Sequence, residues 1–220
     1  MSNTRLEAAI WDMDGVIADT GIFHYEAWRR SFAKRGVAYT EADFWCYFGQ
    51  RNDNIIHAAL GATVTAKQIT EIADEKEAIY RQIIGGNVQA LPGSLELMRA
   101  LFERGVAMAV ASSAPPENIE FILGRLSINK YFQAVVYGYE VKAGKPAPDV
   151  FFLAAEKLGV KPAGCVVFED AVAGVAAAKS AGMKCVALTT SHPPERLNVA
   201  DRVVENLTGI SVTDLEQLIV

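Results

Sequence analysis

Cysteine is scarce in this sequence. It occurs three times in 220 residues, at Cys46, Cys165 and Cys185, and forms no Cys-x-x-Cys. Such spacing argues against a disulfide framework. It fits small buried residues in a reduced, cytosolic setting. Basic runs are also missing. Lys and Arg number 21 against 26 Asp and Glu, a net charge of −5. A nucleic-acid-binding surface is therefore not expected, and an anionic ligand would be held by a few local cations. No apolar run is long enough to span a bilayer, so no membrane partner is expected. The polar start of the chain, soon carrying Glu7, Asp12 and Asp14, does not have the pattern of a signal peptide. There is no internal repeat and no low-complexity segment.

What is present is apolar sequence, 51% of residues, enough for a substantial core in one or two domains. The run 8–11 reads as a strand. From Gly21 to about Gly86 the pattern is helical throughout, with stretches at 22–35, 41–47, 52–60 and 65–84. Thr65 is placed as an N-cap, and Gly85-Gly86 as a stop. From Leu91 onward, strands and helices alternate. Strands are expected at 106–111, 134–137, 165–168, 184–188 and, as an edge, 202–205. Helices are expected from Pro92-Gly93 to 103, from Pro115 to 126, and at 149–158, 171–181 and 213–219. Short, nearly continuous apolar strands belong to a parallel sheet covered on both faces. The expectation is an α/β fold, a doubly wound parallel sheet interrupted by an all-helical insert. Residues 1–19 and 88–220 would form the core, and 20–87 a helical cap.

The polar clusters fall at strand ends, where such sheets bind ligands. Asp12 and Asp14 stand two apart after the first strand, and on extended backbone they point to the same side. Gly15 permits a sharp turn. Adjacent carboxylates call for a proton or a hard cation such as Mg2+ between them. Ser112 follows the second strand, and Glu169-Asp170 the fourth. Lys145, in Gly144-Lys145-Pro146, is a compact cation suited to phosphate. Singly, each has an ordinary reading: a helix cap, an acidic helix start, a solvated lysine. Their joint occurrence beside Asp12-x-Asp14 argues for a site. Asp12 could attack phosphorus to give an aspartyl-phosphate, with Asp14 as acid and base.

In order, the chain carries Asp-x-Asp-Gly-Val-Ile-x-Asp-Thr from Asp12 to Thr20, a serine after an apolar strand, Gly-Lys-Pro-x-Pro-Asp, and Phe-Glu-Asp-Ala-x-x-Gly. In this it resembles the haloacid dehalogenase superfamily, in the branch with a helical cap after the first motif. The resemblance implies Asp12 as nucleophile and Asp14 as acid/base. It implies Ser112, Ser113 and Lys145 around the transferring phosphate. Mg2+ would be held by Asp12, the main-chain carbonyl of Asp14, and Asp170, with Glu169 nearby. Asp14 argues against a true dehalogenase and against the phosphonatase group, which lack this second aspartate. Within the cap, Thr20, His24, Arg51 and Lys76 resemble the hinge and substrate positions of the β-phosphoglucomutases and related sugar-phosphate phosphatases.

One departure favours hydrolysis. The mutases bind a second phosphate through a serine and a basic residue after the serine strand. This chain has Ala114, Pro115 and Glu117 in that stretch. The expectation is a monomeric, cytoplasmic, Mg2+-dependent phosphatase acting on a small phosphorylated metabolite, most simply a sugar phosphate. A β-phosphoglucomutase-like phosphohexomutase is the alternative, and a non-catalytic binding member of the fold is a remote third.

Overall fold

The computed structural model describes residues 5–219. Six parallel strands form one sheet in the order β3-β2-β1-β4-β5-β6. They are β1 (Ala8–Trp11), β2 (Ala107–Ser112), β3 (Ala134–Tyr137), β4 (Cys165–Glu169), β5 (Lys184–Leu188) and β6 (Arg202–Val204). Side-chain alternation along each strand divides the core in two. Ala9, Trp11, Met108, Val110 and Phe168 face one side. Ala8, Ile10, Ala109, Val167 and Cys185 face the other. Both faces are covered, as an all-parallel sheet requires. Each Val, Leu, Ile or Phe so buried contributes about 1.5–3 kcal/mol.

Four helices separate β1 from the rest of the sheet: α1 (Gly21–Ala33), α2 (Glu41–Tyr47), α3 (Asn52–Leu60) and α4 (Ala66–Ile84). They close on their own aromatic core of Trp28, Phe32, Tyr39, Phe44 and Phe48, with Ile55, Ile56 and Ile72. Thr40 and Thr65 each make a reciprocal capping box, with Asp43 and Gln68, which starts α2 and α4. The outgoing and returning linkers run side by side. Leu91 N–H donates to Ile17 O and Asp19 N–H to Gln89 O, and Ala18 bridges Ala90.

The remaining helices are α5 (Ser94–Glu103), α6 (Pro116–Leu126), α7 (Asp149–Leu158), α8 (Val172–Ser180) and α9 (Val212–Ile219). Pro115 is the N-cap of α6 and Pro116 its first residue, one position later than expected from sequence. The extended conformation that Pro116 imposes on its predecessor keeps Pro115 out of the helix. Three short 3-10 turns, at Asn129–Tyr131, Pro162–Gly164 and Pro194–Arg196, were not expected. Cys165 and Cys185 are buried as anticipated, but Cys46 is exposed, on the outer side of α2. Among the described residues no helix is long and apolar enough to cross a membrane.

Strand order reverses between β1 and β4, so the crevice at their carboxyl ends is the topological switch point. Asp12 follows β1, while Ser112 and Glu169 are the last residues of β2 and β4.

Candidate active site

The Asp12 amide extends the ladder by one bond, to Phe168 O. The chain then folds into a tight loop. The amides of Ile17 and Ala18 donate to Met13 O, and that of Gly15 to Ala18 O. Gly15 adopts φ +78°, and a Cβ there would lie 2.0 Å from Asp170 Oδ2. Only glycine permits both the turn and the approach.

Lys145 is buried between two carboxylates. Its Nζ donates to Asp12 Oδ1 and Glu169 Oε1, both at 2.6 Å, and to Ala111 O. Glu169 Oε2 accepts from the amides of Asp170 and Ala171. Its carboxylate lies where a side chain on Gly174 would have to be, 1.8 Å from that position. Asp12, Glu169 and Asp170 place ligand-type oxygens within 4.8 Å of one another. Asp170 Oδ1 is buried with no hydrogen-bond partner. Burial pushes the Asp12 carboxyl up to about 8, against the pull of Lys145 and with the repulsion of Glu169 and Asp14. Burial, with Glu169 and Asp12 close by, likewise drives Asp170 well above the ordinary carboxylate range. An orphaned oxygen in an all-oxygen cluster of this kind fits a hard divalent cation, with Asp12 and Asp170 as ligands and Glu169 behind them.

Asp14 faces a different set of partners. Its Oδ1 accepts from Thr20 Oγ1 at 2.6 Å and pairs with His24 Nε2 at 3.1 Å. Burial opposes its ionisation, but His24, the Thr20 hydroxyl and Lys76 outweigh this and hold it below its usual range. His24 lies flat on Tyr80, centroids 3.8 Å apart.

Behind His24 the network continues. Lys76 Nζ contacts His24 Nδ1 and donates to Glu77 Oε1. Asn52 donates to Glu77 Oε1 and Asn118 to Glu77 Oε2, while Arg81 donates to Asn118 Oδ1. Asn118 belongs to α6 and Glu77 to α4, so this bond ties the helical insert to the sheet.

Asp12, Asp14, His24, Lys76, Ser112 and Ser113 line one cavity with Glu77, Asn52, Phe48 and Ala114. Its volume is 40 Å³, room for about three waters. Ser112 Oγ accepts from the Ala114 amide, which leaves its O–H to donate. Ser113, expected on a phosphate, instead donates its hydroxyl to Gly49 O, another tie between sheet and insert. Arg51 is not brought to the cavity. Its guanidinium is held by Asp53, with 2.6 Å for the shorter bond, and stacks 4.9 Å over Tyr139. Its stem packs on Gly144, where no side chain would fit.

Other polar groups join the site without any motif to mark them. Thr190 Oγ1 donates to Gly15 O and reaches Asp170 Oδ2 at 3.2 Å; Ser191 Oγ donates to Asp170 O. His192 then spans from Ser191 to Trp45 O on α2. Thr190 to His192 follow β5, the next strand end along the sheet, which is the one clue to them in the sequence.

The sequence matches the haloacid dehalogenase-like hydrolase family model over residues 6–182. The chain belongs to that family. A phosphorylated carbohydrates phosphatase of Thermotoga maritima is 35% identical over 183 residues, covering 81% of this chain and 83% of its own. Fructose-1-phosphate phosphatase YqaB of Escherichia coli is 35% identical over 182 residues, 83% of this chain and 96% of its own. A crystal structure of β-phosphoglucomutase from Clostridium difficile superimposes with a TM-score of 0.89 at 27% identity, over 97% of both chains. The chain is thus an enzyme of the phosphatase and phosphoglucomutase branch of the hydrolase family.

Proposed function

We propose that this enzyme hydrolyses small sugar phosphates through an aspartyl-phosphate on Asp12. The observation that carries the reading is the division of labour between two aspartates in one cavity. Asp12 is held by Lys145, and Asp14 by Thr20 and His24. The relatives named above as carbohydrate phosphatases support the substrate class.

In this reading a carboxylate oxygen of Asp12 attacks phosphorus, and the bond to the leaving oxygen breaks. Lys145 and the Ser112 hydroxyl hold the phosphoryl oxygens. Asp14 gives its proton to the leaving oxygen. The incoming phosphate dianion favours that protonated form, since a second negative charge in the cavity raises the proton affinity of Asp14. Asp14 then takes a proton from water as that water attacks the aspartyl-phosphate. The P–O bond to Asp12 breaks, inorganic phosphate leaves, and Asp12 is regenerated. A Mg2+ ion held by Asp12 and Asp170 would neutralise phosphoryl charge. Residues 20–87 act as the cap, the linkers at Asp19 and Gln89 as its hinge. The same reading takes a monomer as the working unit.

The mutase alternative requires a second phosphate site. Ala114 and Pro115 offer no side-chain donor, and Arg51 is paired with Asp53. This favours water over a sugar hydroxyl as acceptor. The test supplies β-glucose 1-phosphate, Mg2+ and a trace of bisphosphate, and follows free phosphate and glucose 6-phosphate together. Phosphate release without isomer is expected. Isomer formation with little free phosphate would overturn the hydrolase reading.

A further inference from the structure

The contacts running from Asp12 outward order the cavity. Phosphorus must sit by Asp12 and Ser112, and the leaving oxygen by Asp14. Beyond Asp14 come His24, Lys76 and Glu77, each touching the next. The leaving group therefore extends toward Glu77. Glu77 and Asn52 also border a second space, a crevice of 580 Å³ between α4 and the start of α6. The two spaces share that wall, so the far end of a substrate meets it first and the crevice next.

The charges along this path are unbalanced. Lys76 is the one cation lining the inner cavity beside Asp14, and Glu77 neutralises it at 2.9 Å. Burial resists ionisation of Glu77, but Lys76 and the bonds from Lys76 and Asn52 keep it charged. The crevice adds Asp74 and Glu117 against one cation among the described residues, Arg81, which donates to Asn118. Arg51, which could have supplied another, is engaged with Asp53.

We infer that Glu77, with Asp74 and Glu117 on the adjoining crevice, is a specificity determinant that rejects leaving groups with an anionic far end and admits neutral or cationic ones. This inference rests on the hydrolase reading. Its physical basis is repulsion between like charges, strongest at the buried Glu77, where Coulomb energies exceed those in bulk water, and weaker at the exposed Asp74 and Glu117. Glu77 acts on the substrate's distal end, not on the reacting atoms.

Three open-chain hexitol 6-phosphates that differ only at C1 test it: sorbitol 6-phosphate, 6-phosphogluconate, and 1-amino-1-deoxysorbitol 6-phosphate. Phosphate release gives kcat/KM for each. We expect the carboxylate to be at least about tenfold worse than the alcohol, and the amine no worse than the alcohol. Glu77→Gln should narrow the gap between carboxylate and alcohol. The double variant Asp74→Asn/Glu117→Gln should narrow it too. This second variant lies outside the buried network and remains informative if Glu77→Gln does not fold. Hydrolysis of the carboxylate within twofold of the alcohol overturns the inference, as does a gap unchanged in the double variant. Both leave the hydrolase reading intact. No phosphate from these three or from glycerol 3-phosphate overturns the hydrolase reading, and the inference with it.

Discussion

Lys76 Nζ stands 2.8 Å from His24 Nδ1. An ammonium has only protons to offer, so Nδ1 must accept. The other ring nitrogen then carries the proton and donates it to Asp14 Oδ1. A buried lysine on α4 thus sets the tautomer of a histidine on α1, and that histidine orients the proposed acid. Removing His24 should cost the chemical step more than binding. His24→Ala is expected to lower kcat about a hundredfold on sugar phosphates. On p-nitrophenyl phosphate, whose leaving group needs no proton, the loss should be far smaller. Equal losses on both substrates would remove His24 from the acid's support. Lys76→Met leaves Glu77 buried without its cation, and a loss of about 3–5 kcal/mol in denaturant unfolding is expected.

The carboxylate cluster gives the metal-free protein an unusual pH dependence. Asp12 is raised from an ordinary 3.8 to about 8. In that window the folded state binds a proton that the unfolded chain has lost, so stability falls as pH rises. It is fully present below about pH 4 and lost by about pH 8. Thermal melts in chelator from about pH 5 to pH 9 should show this decline. Mg2+ should restore stability most at the alkaline end, since ligands bind metal deprotonated. At a hundredfold excess over Kd the gain is about 2.7 kcal/mol. Asp12→Asn should flatten the slope and abolish turnover, and a slope unchanged by that substitution would assign it elsewhere.

Two glycines separate metal binding from lysine placement. Gly15→Ala forces a left-handed alanine against Asp170. We expect a loss of about 1–3 kcal/mol in stability and of the Mg2+-induced rise in Tm. Gly174→Ala instead displaces Glu169, the partner of Lys145. The expected loss is phosphate affinity, read as a weaker product inhibition by inorganic phosphate.

Gly49 tests closure. A Cβ there would lie 2.5 Å from the Ala171 Cβ, at the seam between insert and sheet. Gly49→Ala should hold that seam apart and cut kcat/KM about tenfold to a hundredfold. The Mg2+-induced rise in Tm should persist, because the carboxylate cluster lies wholly on the sheet side. Loss of that rise would show that the substitution reaches the cluster.

Legibility from sequence followed locality. The strands β1, β3 and β5 and the helices α2, α3 and α7 have the expected bounds, because apolar runs and flanking glycines or prolines are local signals. Asp12, Asp14, Ser112, Glu169 and Asp170 converge because each is near a strand end, and topology brings strand ends together; Lys145 joins them from the loop between β3 and α7. The bond from Asn118 to Glu77 had no such signal: it joins two helices far apart in the chain, and neither residue sits in a motif. Arg51, expected at the substrate, lies outside the cavity lining in this structure for the opposite reason. Asp53, two residues on, captures it locally, and a matching arginine does not reveal its competing partner.

The cavity of 40 Å³ has one more consequence. If residues 20–87 act as the cap proposed above, a sugar phosphate, larger than that space, would enter with the insert raised. Raising it parts Glu77 from Asn118 and Ser113 from Gly49, and draws His24 and Lys76 away from Asp14. In that reading Asp12 keeps Lys145 while Asp14 loses its orientation, so esters whose leaving group needs a proton would not react on the open sheet. In that reading the movement that reassembles the partners of Asp14 is the same one that shuts bulk water out.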